Sequence, residues 1–180
     1  ATAIGALTTK AIEGYAAQEQ LVGGVETLFK TSSDTVVGYA NDAYKTAGMS
    51  ANEYMETVTS FSASLLASMN NDTAAAAEKA NVAITDMSDN ANKMGTDISL
   101  IQNAYNGFAK QNYTMLDNLK LGYGGTQEEM QRLLDDASKL SGIKYDISSY
   151  SDVVDAIHVV QTEMGITGTT AKEASTTIEG

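Results

Sequence analysis

The sequence predicts an all-α protein, in which several short amphipathic helices pack as a helical bundle or as an elongated helical array. Three observations predict this class. The 180-residue chain contains no proline, the strongest helix breaker. Apolar residues recur three or four positions apart over most of its length, as on one face of a helix. Glycines and helix-capping residues divide this pattern into pieces of ordinary helical length.

An N-terminal helical segment is predicted over residues 1–48. Its apolar residues follow helical spacing on both sides of the pair Gly23-Gly24. This pair is either a break between two helices or a weak point within one helix, because glycine lowers helix propensity without forbidding a helix. Gly48 is expected to end the segment.

The central segment, residues 49–142, carries the clearest signals for helix starts. Ser50 is followed three positions later by Glu53, and Thr126 is followed in the same way by Glu129. In such a capping box, the hydroxyl and the carboxylate each accept a hydrogen bond from the other residue's backbone N–H. Both pairs therefore predict the first turn of a helix.

Between these boxes, a long helix is predicted from Asp72 to Met94, with Gly95 as its C-terminal cap. Its apolar line is narrow and consists of small residues and methionines, which favours close helix packing or an adaptable interface over a wide core face. Thr96 is the predicted N-cap of the next helix. The line consists of Ala76, Ala80, Ile84, Met87, Ala91 and Met94.

The C-terminal segment, residues 143–180, begins with an alternating stretch over 143–147 that is a weak strand signal. We interpret it as an extended connector. Ser149 or Ser151 then caps a helix, and a last helix begins at Thr169 and is cut short by the end of the sequence. We therefore expect the chain to be a piece of a larger protein.

The composition excludes several functions. Eleven Lys and Arg against 23 Asp and Glu give a net charge of −12, and the lysines are dispersed, so no basic patch for nucleic acid is expected. With no cysteine and one histidine, Cys-based and His-rich metal sites are excluded, and no cofactor is expected. No apolar run is long enough for a transmembrane span.

The acidic residues and the single histidine are the candidates for catalysis. Asp86 and Asp89 lie three positions apart on one predicted helix, and paired carboxylates serve glycoside hydrolysis when both face one substrate. The interpretation we favour is solvated surface charge, because charged side chains are mostly exposed. His158 has no partner that the sequence identifies, so we interpret it as a structural or surface residue.

One group of aromatic and methionine residues lies between two well-marked helices. The first interpretation is a structural core. The second is a partner-docking patch, since tyrosine and methionine are common anchors on interaction surfaces. The candidate partner contacts are Tyr105, Phe108, Tyr113, Met115 and Tyr123.

Five runs of the sequence are more specific than this pattern of helices. They lie at 50–65 (SANEYMETVTSFSASL), 87–95 (MSDNANKMG), 101–113 (IQNAYNGFAKQNY), 114–126 (TMLDNLKLGYGGT) and 156–170 (AIHVVQTEMGITGTT). These five runs resemble sequences of the tape-measure proteins of tailed phages and prophages. The similarity includes residues 49–142 as a tape-measure-like core and extends over most of the chain.

The resemblance implies a structural virion component rather than an enzyme. Family members scaffold tail-tube assembly and set tail length through helix–helix contacts. The implied partners are the tail tube protein, tail assembly chaperones and tail-tip proteins, together with self-association through helices. The implied location is the host bacterial cytoplasm during assembly and the lumen of the virion tail afterwards. The family supplies no catalytic residue for this chain.

Two other functions remain open from the residues alone. One is an exported helical binding module or an adhesin-like bundle, which the composition also allows. The other is a fragment of a cell-wall hydrolase that uses two acids such as Asp86 and Asp89.

Overall fold

Eight α-helices follow one another in the computed structural model, which describes the backbone of residues 2–179 and the side chains of residues 16–176. Short 3-10 turns cover Lys30–Ser32 and Leu116–Leu119, and the described residues contain no strand. The all-α prediction is confirmed, in the form of a helical bundle. The helices are α1 (Thr2–Phe29), α2 (Ser33–Thr46), α3 (Ala51–Ser68), α4 (Thr73–Met94), α5 (Ile98–Ala109), α6 (Gln127–Ser141), α7 (Tyr150–Glu163) and α8 (Thr169–Glu179).

The first predicted capping box is confirmed at the start of α3. The Glu53 backbone N–H donates to Ser50 Oγ at 3.1 Å, and the Ser50 N–H donates to the Glu53 carboxylate at 3.2 Å. At the far end of α4, Gly95 adopts the left-handed conformation, with φ of 71°, and closes the helix as predicted. The start of α3 and the end of α4 are therefore set by residues that lie close together in the sequence.

The second predicted capping box, at the start of α6, is only half formed. Thr126 Oγ1 accepts the N–H of Glu129 at 3.1 Å. The Glu129 carboxylate instead accepts the N–H of Gly124, at 3.1 Å, and pairs with the Arg132 guanidinium. Arg132 offers a charged donor on the same helix face, and this competes successfully with the neutral N–H of the cap residue.

The predicted N-cap of α5 is wrong by one residue. Asp97, not Thr96, precedes the helix, and its carboxylate accepts the N–H of Ser99 at 2.8 Å. The Thr96 N–H is already bonded to Ala91 O as part of the turn that closes α4. Asp97 also places its negative charge against the positive end of the helix dipole, which a threonine cannot do.

Two alternatives that the sequence left open are resolved. Helix α1 runs without interruption through Gly23 and Gly24, so this pair is a weak point and not a break. The connector before α7 is not a strand, and Ser149, rather than Ser151, caps that helix by accepting the Asp152 N–H at 3.3 Å.

Helix α4 lies at the centre of the bundle and packs against α1, α2, α3, α5, α7 and α8. The prediction of a narrow seam for this helix is wrong, because the buried surface is much wider than the line of alanines and methionines. Residues 86–90 are buried consecutively, and five residues exceed one turn of 3.6 residues. Neighbouring elements therefore surround this part of α4 on every side. Its buried residues are Ala76, Ala77, Ala80, Ala83, Ile84, Asp86, Met87, Ser88, Asp89 and Asn90.

One hydrophobic core runs through the three segments distinguished in the sequence. It begins at Val25 in α1 and continues to Ile166, just before α8. Aromatic contacts join distant parts of this core, as where Phe61 of α3 meets Tyr150 of α7 edge to face, with ring centroids 6.4 Å apart. The partner elements of α4 are thus held in place from several directions.

The loop between α5 and α6 gives a sharp test of this packing, because the chain approaches itself closely at Gly125. A Cβ at Gly125 would lie 2.2 Å from the carbonyl oxygen of Thr114, whereas at Gly124 it would meet only the Glu129 side chain, at 3.7 Å. We expect Gly125→Ala to lower the free energy of unfolding by about 1–3 kcal/mol. Urea unfolding should show a much smaller effect for Gly124→Ala, and equal effects would contradict the close approach.

Candidate functional site

The most unusual feature of the bundle is a run of polar side chains buried in the second half of α4. Asp86 is 1% exposed and Asp89 is fully buried, as is Asn90. The interpretation of the two aspartates as solvated surface charge is therefore wrong. Helix α7 covers Asp86 and the start of α8 covers Asp89. The helical pattern of the sequence does not indicate which helix packs on which face of α4.

Asp86 pairs with the single histidine. His158 Nδ1 of α7 lies 3.0 Å from each carboxylate oxygen of Asp86. With Asp86 ionised, the Nδ1–H donates to the carboxylate, and the other edge of the ring remains open to solvent, since the side chain is 39% exposed. A second ion pair, between Lys79 of α4 and Asp155 of α7, lies beside it.

Both members of the Asp86–His158 pair hold protons more tightly than usual. Burial raises the pKa of Asp86, and the hydrogen bond from His158 opposes this effect without cancelling it. The hydrogen bond to Asp86 raises the pKa of His158, and partial burial opposes it. Desolvation disfavours the carboxylate charge, and the carboxylate favours the imidazolium charge.

Asp89 caps a helix that begins 80 residues later in the chain. One carboxylate oxygen accepts the N–H of Gly168 at 2.8 Å, and the other accepts the N–H of Thr170 at 2.9 Å. Helix α8 starts between these two residues and has no capping side chain at Gly168 itself. The carboxylate satisfies two backbone donors at the positive end of the α8 dipole.

Asn90 extends the network to two further elements. Its Nδ2 donates to Gln161 Oε1 of α7 at 2.8 Å and to the Leu119 carbonyl of the second 3-10 turn at 3.0 Å. Gln161 Nε2 in turn donates to the backbone carbonyl of Asp86 at 3.1 Å. Gln161 thus both accepts from and donates to α4, which ties α7 to one position along that helix. The Asn90 Oδ1 has no hydrogen-bond partner among the described residues.

Three of the five candidate partner contacts lie in the core. Tyr105 is fully buried, Phe108 is 2% exposed and Tyr113 is 6% exposed. Their rings pack in sequence, with centroids 5.7 Å apart for Tyr105 and Phe108, and 6.2 Å apart for Phe108 and Tyr113. In this fold they correspond to the core interpretation and present no surface to a partner.

The other two candidates lie nearer the surface. Met115 is 43% exposed. Tyr123 is half-buried, with the Arg132 guanidinium 4.2 Å from its ring centre and its hydroxyl donating to Asp136 at 2.6 Å. Burial and the Asp136 carboxylate raise the pKa of Tyr123 to about 12. Only Met115 is left as an accessible apolar anchor among the five.

The two buried aspartates do not face a common substrate space. Both oxygens of Asp89 accept backbone N–H groups, and both oxygens of Asp86 lie against His158. Glycoside hydrolysis requires two carboxylates on one substrate, and this arrangement argues against that chemistry for this pair. Among the described residues, no three acidic or histidine side chains are grouped as metal ligands.

None of the helices in the described part of the chain has the length and apolarity that a membrane span requires. Comparison of the chain with protein-family models, curated proteins and solved structures gave no match. The candidate site is therefore defined by the geometry of α4 and its neighbours.

The Asp86–His158 pair predicts how stability depends on pH. The folded state binds the His158 proton more tightly than the unfolded chain, so the contribution of this residue to stability is complete below its ordinary pKa of 6.5. It is lost as the pH rises through the raised pKa of the folded state. We expect the free energy of unfolding, measured by urea titration, to fall as the pH rises above 6.5 and through the raised pKa of His158.

The matched variant is His158→Gln, which removes this titration. At low pH it should cost about 1 kcal/mol, since the pair is partly open to solvent. The difference between wild type and variant should shrink as the pH rises. A difference that stays constant with pH would show that the His158 proton is not bound more tightly in the fold.

The Asp89 cap makes a separate prediction for α8. Asp89→Ala leaves the N–H groups of Gly168 and Thr170 without their acceptor, and we expect a loss of about 2–3 kcal/mol in the free energy of unfolding. Backbone hydrogen exchange should accelerate in α8 and remain slow in α3. Asp89→Asn keeps one acceptor oxygen and should give an intermediate effect. Unchanged protection of α8 in Asp89→Ala would refute the capping role.

Proposed function

We propose that this chain is a segment of a phage tail tape-measure protein, acting as a structural virion component that scaffolds tail-tube assembly and contributes to tail length. The observation that carries the proposal is the resemblance of five sequence runs between residues 50 and 170 to that family. These runs include surface positions as well as core positions, so they are more specific than a general amphipathic pattern.

The all-α bundle is compatible with this proposal. Tape-measure function works through helix–helix contacts, and the contacts of α4 with six other helices are of this kind. The bundle also bears on how such a segment would measure length. As one continuous helix, 180 residues would span about 270 Å, whereas a compact body of this size is about 40 Å across.

The partners in this proposal follow from the resemblance. They are the tail tube protein, tail assembly chaperones and tail-tip proteins, met in the host cytoplasm during assembly and in the tail lumen afterwards. We propose a non-enzymatic role for the segment. The engagement of Asp86 and Asp89 with their own fold supports this, because neither carboxylate is left to act on a substrate.

Tail length tests the proposal directly. We expect an in-frame deletion of this segment from its parent gene to give tails shortened by about 40 Å if the bundle persists in the tail, or by about 270 Å if the segment is extended there. Electron microscopy of purified tails measures either value. Absent or malformed tails would instead indicate that the segment is needed to initiate assembly.

The matched control is a tandem duplication of the same segment, which should lengthen the tail by the amount that the deletion removes. Tails of unchanged length in both strains would refute a measuring role. A parent gene flanked by secretion genes rather than tail genes would favour the alternative, an exported binding module.

A further inference from the structure

The end of α6 carries an apolar surface that the bundle leaves uncovered. Ile143 is 59% exposed and Leu140 is 49% exposed, and no other two exposed large apolar side chains of the described residues lie so close together in the sequence. Leu140 lies three positions after Ala137, the last buried residue of α6. It continues the apolar stripe of this helix beyond the part that α7 covers.

Two lysines flank this apolar surface. Lys139 and Lys144 are exposed and form no ion pair with any described residue. They border a shallow hollow of about 470 Å³ together with Ile143. Asp135 also lines this hollow, and its carboxylate already accepts the Gln131 amide at 2.9 Å. The surface of Lys139, Leu140, Ile143 and Lys144, here called the tip, therefore fits a partner that is both apolar and negative.

A surface of that kind lies on α1. This helix packs on α2, α3 and α4, whereas α6 packs on α7, so the two surfaces belong to different parts of the bundle. The outer side of α1 has a shallow hollow of about 440 Å³, lined by Gln18, Glu19, Val22, Gly23 and Glu26 and here called the α1 face. Its two glutamates are exposed and form no ion pair or hydrogen bond with a described residue. They stand two turns apart on one side of the helix.

Gly23 is a second, independent observation on the α1 face. A glycine inside a helix is destabilising relative to alanine, and close approach of another group is one reason to have it there. The adjacent Gly24 faces the bundle, since a Cβ at this position would lie 3.6 Å from the Thr59 side chain of α3. A Cβ at Gly23 would meet nothing within 4 Å. The fold itself therefore gives no steric reason for Gly23, whereas a partner side chain lying against the α1 backbone gives one.

We propose that the tip of one copy of this chain docks on the α1 face of a second copy. Ile143 lies against the backbone at Gly23, beside Val22, and the two lysines of the tip pair with the two glutamates of the face. Each copy offers one tip and one face, so the contact is heterologous and copies add head to tail. The contact is argued from these surfaces alone and does not depend on the tape-measure proposal.

The size of the two surfaces sets the strength of the contact. A handful of side chains on each copy is far less than the 20–30 residues a side of a standard stable interface. We therefore expect weak association, with a Kd on the order of 0.1 mM. With ¹⁵N-labelled protein, raising the concentration through this range should shift backbone amides at the tip and on the α1 face. Added salt should weaken the association, because exposed charges are screened.

A mixing experiment tests the head-to-tail geometry. The tip variant carries Leu140→Ser and Ile143→Ser, and the face variant carries Gly23→Gln, which places a side chain in the hollow. Each variant alone should remain monomeric. When they are mixed, the intact tip of the face variant should bind the intact face of the tip variant. Labelled tip variant should then shift only on α1, and labelled face variant only at the tip. A tip-to-tip or face-to-face contact could not be restored by mixing.

Gly38→Gln is the matched control for Gly23→Gln. Gly38 lies within α2, and a Cβ there would also meet nothing within 4 Å. Both variants should unfold at a higher temperature than the wild type, because glutamine has the higher helix propensity. Only Gly23→Gln should weaken self-association, by about tenfold or more. A lowered unfolding temperature for Gly23→Gln would mean that the fold itself needs this glycine, which overturns its assignment to the contact.

Charge variants test the ion pairs separately. Glu19→Gln and Glu26→Gln should each raise the Kd of self-association about two- to fivefold, as expected for one exposed ion pair. Glu163→Gln removes the same charge from an exposed position at the end of α7 and should leave the Kd unchanged. Equal effects of all three variants would show that only the net charge of the chain matters.

The remaining outcomes count against the proposal. A chain that stays monomeric at millimolar concentration, shifts confined to other surfaces, or variants that do not associate on mixing would each overturn it. Binding of the tip to phosphatidylglycerol vesicles without self-association would assign the tip to an anionic membrane surface instead. All these measurements use the purified chain, so their failure leaves the tail-length experiment unaffected.

Discussion

The structure depends on one constraint, which is that α4 buries polar side chains on a stretch where it is enclosed on every side. A buried donor or acceptor without a partner destabilises the fold by more than a good hydrogen bond stabilises it. Asp86, Asp89 and Asn90 therefore restrict which elements can lie beside α4. Helix α7 supplies His158 and Gln161, and the start of α8 supplies backbone N–H groups. Hydrogen bonds depend on direction, so these polar partners constrain the position of α7 and α8 on α4 more narrowly than apolar contacts do.

The two buried aspartates are satisfied in physically different ways. Asp89 faces backbone N–H groups, which are fixed dipoles and cannot lose their protons in this pH range. Asp86 faces an imidazole, whose charge changes near neutral pH. In a chain with a net charge of −12, neither carboxylate has a lysine or arginine as its direct partner. The acceptor that attaches α8 therefore faces backbone dipoles, while the acceptor that attaches α7 faces an imidazole, whose charge changes with pH.

Much of the fold could be predicted from the sequence because helix ends are local. Ser50 and Glu53 meet within one turn, and Gly95 closes α4 through its own backbone conformation. The polar network could not be predicted in this way, since His158 lies 72 positions from Asp86 and the N–H groups on Asp89 lie about 80 positions away.

Two signals for the polar network were nevertheless present in the sequence. Asp86 and Asn90 follow Ala83 at three and seven positions, which places them on the face that α4 buries. Gly168 precedes α8 without a side chain that could cap it, so the first N–H groups of α8 are open to an acceptor from elsewhere in the chain. A polar residue on an apolar face indicates that some partner lies elsewhere in the chain, and a helix start without a cap indicates the same. Neither signal identifies the partner.

The same core bears on whether the segment can act as an extended rod. Many large side chains are almost completely buried, among them Tyr54, Phe61 and Tyr105. Burial of each contributes about 1.5–3 kcal/mol, so opening the bundle would remove the main favourable term in the stability of the fold. A rod form therefore requires a surface, such as neighbouring copies or the wall of a tube, that buries the same apolar residues again, and without one the segment remains a folded body.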